Sequence, residues 1–207
     1  MESMKHLLPV SLKILLCLVS SSIVQAGNTN DPPYSMEVSV LCRSPGENFY
    51  IEQHRVYPKE ELKVWLVSTK DAKERKLIYT HGRSIEVLFS EDEKWLAIND
   101  HLGSNIAEVI LFRQNHGIDY RNVENPSDKA WDYLAKKMGI KKAPDLDHYY
   151  AEVLRWTDNH TILLCLYGHT DSRNFVEDWL CLYDVTSKTF STDLDIHNKR
   201  HVTLQPQ

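Results

Sequence analysis

Asp193, Asp195 and His197 recur at every second position of the chain. Side chains two apart share one face of a strand, and two carboxylates beside an imidazole could hold a hard cation or zinc. No further ligand accompanies them, so they read as the exposed face of a terminal strand, and neither a metal nor a cofactor is expected. His169, Asp171 and Arg173 keep the same spacing inside the polar run 168–174. A loop carrying an imidazole, a carboxylate and a guanidinium could bind a ligand, and these three form the candidate ligand loop. A polar turn between strands is the competing account.

Sulfur chemistry is the next possibility. Cys17 falls in the leader, which leaves Cys42, Cys165 and Cys181. Cys165 and Cys181 lie on the apolar runs 161–167 and 176–183. If that hairpin is symmetric about Arg173, the two face each other on neighbouring strands within disulfide reach. An exported protein can keep such a bridge. The alternative is a pair of buried free thiols. Cys42 would stay unpaired, and none of the three has metal-ligand spacing.

Other chemistries are excluded or unsupported. All seven glycines are isolated, so no phosphate cradle or dinucleotide fingerprint can be written. There is no Gly-x-Ser-x-Gly elbow and no His-Glu-x-x-His helix. A dispersed Ser/His/Asp set stays open, because its members need not be neighbours. An enzyme would gather histidines such as His81, His101, His148 and His169 with carboxylates in one pocket. Asn159-His160-Thr161 is a formal glycosylation sequon, although a turn at these residues explains them equally. The five tryptophans are spread one per element, as core residues are; a carbohydrate platform would need several side by side on an exposed face.

These residues sit on a meander of short strands. Residues 85–100 read as strand, acidic turn, strand, and a similar unit follows 67 positions later, Phe89-Ser90-Glu91 matching Trp156-Thr157-Asp158. Such repeats are units that must stack to bury their apolar faces. Strands are also expected over 36–42, 49–56, 62–68, 76–80, 106–113, 118–123, 149–156, 161–167, 176–183 and 189–194, separated by turns such as Ser44-Pro45-Gly46-Glu47-Asn48. One amphipathic helix interrupts them at about 126–138. Asn125 caps it, Pro126 opens it, Asp128 favours its first turn and Gly139 ends it. Its apolar stripe is Ala130, Trp131, Leu134, Ala135 and Met138. Lys136, Lys137, Lys141 and Lys142 at its end read as a solvated, dipole-favoured cluster.

Phe89-Ser90-Glu91-Asp92-Glu93-Lys94-Trp95-Leu96-Ala97 resembles the inner hairpin of a β-propeller blade of the WD-repeat or TolB type, whose turn reads Ser-Pro-Asp-Gly-Lys. Glu91 and Glu93 stand here where that pattern has Pro and Gly. Leu182-Tyr183-Asp184-Val185-Thr186-Ser187-Lys188-Thr189 is similar to an outer blade hairpin, and so is Val64-Trp65-Leu66-Val67-Ser68-Thr69. The resemblance implies architecture only. A closed ring takes at least about four blades of some 40–45 residues, more than this chain supplies. The fold expected is therefore mainly β: an antiparallel meander of about ten short strands in two to three blade-like sheets, open or sandwich-like, with the one inserted helix.

The leader sets the compartment. Lys5 and Lys13 precede the short apolar run 14–19, and small residues lead to Val24-Gln25-Ala26, the form of a secretory signal cleaved after Ala26. The run is shorter than the roughly 20 residues a spanning helix needs, so no membrane span is expected in the mature chain. The domain order expected is signal peptide 1–26, flexible leader 27–35, a single β-rich domain 36–196 and a loose tail 197–207. With 24 Lys+Arg against 29 Asp+Glu and no long basic run, nucleic acid is not an expected partner. These features point to a secreted or periplasmic, non-enzymatic protein-binding or scaffolding module, whose partner is another protein or a second copy. The alternatives are an exported hydrolase with a dispersed site and a carbohydrate-binding module.

Overall fold

A computed structural model of the chain describes residues 22–24, 36–57, 61–139, 145–191, 194 and 202–203. The strands are β1 (Ser22–Val24), β2 (Met36–Arg43), β3 (Phe49–Val56), β4 (Glu61–Ser68), β5 (Arg75–His81), β6 (Ser84–Phe89), β7 (Trp95–His101), β8 (Ile106–His116), β9 (Asp119–Glu124), β10 (His148–Trp156), β11 (Thr161–Asp171), β12 (Asn174–Asp184), β13 (Thr189–Ser191) and β14 (Val202–Thr203). The helix α1 spans Ser127–Met138. One sheet of five strands runs β1-β2-β3-β4-β5; the other, of nine, runs β13-β12-β11-β10-β8-β7-β6, with β9 on β8 and β14 on β12. Without the short β1 and β14 these are twelve strands in sheets of four and eight, both open. The mainly-β, unclosed architecture is as expected, and no sheet closes into a propeller.

Consecutive strands pair antiparallel within β2–β5, β6–β9 and β10–β13. The junction between the last two meanders is different. β8 and β10 pair in parallel, Ile106 with Tyr149 and Ala107 with Tyr150. A parallel pair needs a crossover connection, and the segment carrying β9 and α1 supplies it.

The meanders stack in three layers, which shows most directly in β7. Its residues Trp95–Asp100 are all buried, because both of its faces are covered. Leu96 and Ile98 join Phe49, Ile51, Val64 and Leu66 of the first sheet in one core. Trp95 and Ala97 point the other way, onto Val153, Ile162, Leu164 and Trp179. A strand between two layers loses the inside–outside alternation of a surface strand. Each fully buried Leu or Ile stabilises the stack by about 1.5–3 kcal/mol.

The helix packs at the edge of this second core. The N-cap is Pro126, one residue later than expected, and has no side-chain cap bond; Asn125 instead accepts the Ser127 backbone N–H through Oδ1 at 2.9 Å, a local turn just ahead of the helix. Gly139 adopts φ 71° and its N–H reaches the carbonyls of Ala135 and Lys136, the left-handed stop that glycine accepts without a Cβ clash. Ala130, Trp131, Leu134 and Ala135 are buried. Met138, placed on the same stripe by its spacing, is 41% exposed. Trp131 stacks on Tyr149 at 4.3 Å, and the Ser127 hydroxyl accepts the Val109 N–H at 2.9 Å.

Among the described residues no helix is long and apolar enough to cross a membrane. The expected signal and leader lie outside the described residues except for β1. Most of the expected tail lies outside them too; Val202 and Thr203 pair with Val176 and Phe175 as β14.

Candidate functional site

Three turns lie in a row at one end of the stack, and the first two are of one kind. In the first, Ser44 N–H donates to Phe49 O at 3.0 Å, Glu47 N–H donates to Ser44 O at 3.0 Å, and Phe49 N–H donates to Ser44 Oγ at 3.0 Å. In the second, Ser90, Glu93 and Trp95 repeat all three bonds at the same 3.0 Å lengths. Glu47 and Glu93 both sit at positive φ, 55° and 58°, a region costly for residues with a Cβ. Glu93 thus adopts the left-handed conformation that glycine takes most readily. The closer relative of the 85–100 hairpin therefore lies 46 positions upstream, not 67 downstream. The turn after Thr157 is one residue shorter, closing from Thr157 N–H to Thr161 O at 2.8 Å.

Side chains tie the row together. Glu93 accepts the Gly46 N–H at 2.8 Å and the Asn48 side-chain amide at 2.7 Å. Asn159 Oδ1 accepts the Asp92 N–H at 3.1 Å, and the Tyr120 hydroxyl donates to the Glu93 carbonyl. Burial pushes the Glu93 carboxyl pKa upward, but the donors from Ser44, Asn48 and Gly46 outweigh it and hold the group below the usual carboxylate value.

Behind this row opens a cleft of about 660 Å³, lined by Cys42 and Arg43 of β2, Leu88 of β6, Glu91, and Arg155 and Trp156 of β10. The first strand of each meander contributes to it. Trp156 Nε1 donates to the Leu88 carbonyl at 3.2 Å, which fixes the indole as one wall. Arg43 lies over the Tyr50 ring at 5.5 Å. Among the described residues neither Arg43 nor Arg155 makes an ion pair with a carboxylate. Asp158, on the same rim, is engaged elsewhere: its Oδ1 accepts the His160 and Thr161 N–H groups at 2.7 and 2.8 Å, which hold its carboxyl below the usual value. Two unpaired guanidiniums beside an aromatic wall suit a carboxylate or other anionic group. A second cleft of about 450 Å³ lies between Arg113, which covers Trp95 at 5.4 Å, and the His160 and Asp184 side.

The candidate loop divides. Asp171 Oδ1 accepts the Arg173 and Asn174 N–H groups at 2.7 and 3.1 Å, and Arg173 Nη2 returns to Asp171 Oδ2 at 3.4 Å. Both residues thus build their own turn. His169 leaves the loop to stack on His148 of the neighbouring strand at 4.2 Å. Below this pair, Tyr150 stacks on Tyr167 at 4.5 Å, and the Tyr167 hydroxyl donates to Glu152 Oε1 at 2.6 Å.

The register also separates the cysteines. Leu164 pairs with Cys181 and Cys165 with Leu180, so the hairpin is one position off symmetry about Arg173. A one-residue slip turns a side chain to the opposite face. Irregularities at 166/168 and 169/171, with Asp178 at φ 49°, accompany it. Cys181 joins the core while Cys165 faces Asp178 at 3.8 Å, and the two are not bridged. Burial pushes the Cys165 thiol up to about 12 and Cys181 higher still. Asp193, Asp195 and His197 lie outside the described residues; among the described ones no group of three or more His, Cys, Asp and Glu side chains could hold a metal.

No histidine lines the first cleft; His160 lines the second beside Asp184, and His81, His101, His148 and His169 line neither. His81 is buried between two layers, where the nearby Asp100 accepts the Tyr79 hydroxyl at 2.6 Å. His101 faces Glu152 at 3.6 Å. Trp95, Trp131 and Trp179 are core residues, and Trp65 and Trp156 belong to different sheets, so no tryptophan platform forms among the described residues. Arg43 and Arg155 are the site residues that the residue patterns did not single out. A signal for them existed: Arg43 directly precedes the Ser44 turn, and Arg155 comes two residues before the Thr157 turn. No family model matches the chain, and no curated protein matches it in sequence.

Proposed function

We propose that the protein is a non-enzymatic protein-binding module, exported through its leader, whose binding face is the cleft where β2, β6 and β10 converge. The observation that carries this reading is the pair of guanidiniums, Arg43 and Arg155, lining one cleft without a carboxylate partner. Both side chains are exposed at the rim of the cleft, and open cations in a concave site suit an anionic ligand. The cleft holds Glu91 and Asp158 but no histidine, which favours recognition over acid–base catalysis. The three stacked meanders are in keeping with kinship to WD-repeat or TolB blades, used here as an unclosed scaffold.

Affinity capture tests the proposal. Immobilised processed protein and its Arg43→Glu/Arg155→Glu variant are exposed to a periplasmic or secreted extract. The wild type should retain a partner that the variant releases. Retention by neither, or equal retention by both, would overturn the assignment of the cleft. Cell fractionation checks export: the chain should be found outside the cytosol and begin at Gly27.

A further inference from the structure

The short strand β1 lies before the expected cleavage point, yet it pairs with β2. Ser22, Ile23 and Val24 stand opposite Val38, Glu37 and Met36 in antiparallel register. β2 is therefore a strand edge that accepts a further strand, and β1 lies along its first three positions. From Val38 the same strand continues to Arg43, where it enters the cleft. On its other side the strand pairs with β3, from Ser39 opposite Gln53 to Arg43 opposite Tyr50. Cleavage after Ala26 would remove β1 from this eight-residue strand edge. Native proteins rarely leave such an edge bare without a use for it.

We propose that the β2 edge of the processed protein receives an extended segment of a partner protein by strand addition, in the antiparallel direction shown by β1. The inference rests on the binding-module reading and names the mode and polarity of that binding. In the β1 register the N-terminal end of the guest points toward Arg43. A guest running the five steps from Val38 to Arg43 covers about 17 Å at the usual strand rise. Main-chain hydrogen bonds to β2 supply affinity, and side chains at the guest's end supply specificity. Two unpaired guanidiniums at that end select acidic residues at the guest's N-terminus, while Leu88 and Trp156 offer apolar contact beside them.

The test uses the processed protein and three labelled peptides: Glu-Glu-Val-Thr-Val-Thr-Val, its reversed sequence, and the version with two lysines in place of the glutamates. Fluorescence anisotropy should rank the first tightest, by about tenfold over the lysine version, since charge-assisted contacts are at stake. Arg43→Glu/Arg155→Glu should invert that preference. The uncleaved chain should bind more weakly, because β1 competes. Hydrogen exchange should show new protection at the amides of 39–43 in the presence of the first peptide. Equal binding of the forward and reversed peptides, or no added protection on β2, overturns strand addition. If that happens while partner capture still depends on Arg43 and Arg155, the binding-module reading stands and only its mode is wrong. If the peptides bind as expected but nothing is captured from extracts, the strand-accepting edge stands and the choice of partner source fails.

Discussion

Glu93 Oε2 accepts the Asn48 side-chain amide at 2.7 Å, across 45 positions of sequence. The bond joins two turns built alike, one from each of two stacked layers. It places a carboxylate at a left-handed position, so the residue that strains its own turn also clamps the neighbouring one. Glu93 is only 7% exposed, and its donors are what make a buried charge tolerable there.

That carboxyl is held below its ordinary pKa, so the unfolded chain binds its proton first as the pH falls. The stability it contributes is present above the unfolded value, about 4.3, and is lost as the pH drops through the lower folded value. Urea unfolding of Glu93→Gln should show a loss of about 1–3 kcal/mol at pH 7. Its pH dependence below 4 should be shallower than that of the wild type. A variant with wild-type slope would remove Glu93 from the acid transition.

Glu47 occupies the same left-handed conformation without a cross-layer role for its exposed side chain. Glu47→Gly should therefore stabilise by about 1 kcal/mol, the relief expected when a Cβ leaves that region. Glu93→Gly relieves the same backbone but loses the clamp, so it should destabilise. Thermal melts of the two variants should shift in opposite directions, and a shift of both in one direction contradicts the different roles.

Burial holds His81 below the ordinary imidazole pKa, against the opposing pull of Asp100. Below about pH 6.5 the unfolded chain takes up a proton that the folded chain resists, so stability falls with acidification in that window. His81→Gln should flatten the stability profile between pH 6.5 and 5. An unchanged profile would show that the imidazole protonates freely in the folded layers.

Cys165 and Cys181 should remain reduced after air oxidation of the folded protein, because the register sends them to opposite faces of one hairpin. Alkylation at pH 8 should be slow before unfolding and complete after it, as expected for buried thiols held protonated. A linked 165–181 peptide in a non-reducing digest would refute the register.

Much of the local structure was legible in the sequence. The end of the helix follows from Gly139, whose preference acts within a single turn. The 85–100 hairpin follows from alternation on either side of an acidic turn. Arg43 and Arg155 were not legible as a site, because their meeting depends on how separate meanders stack.

By itself, then, the sequence determined the type and rough extent of the strands and the helix, since these depend on side chains within a few residues. Only the tertiary structure decided the register of β11 on β12, the parallel junction of β8 with β10 and the sandwiching of β7 between two cores. It also decided the convergence of β2, β6 and β10 on one cleft. These features arise from bulges and from burial between elements far apart in the chain. There the free energy of packing a whole face outweighs the preference of any single residue.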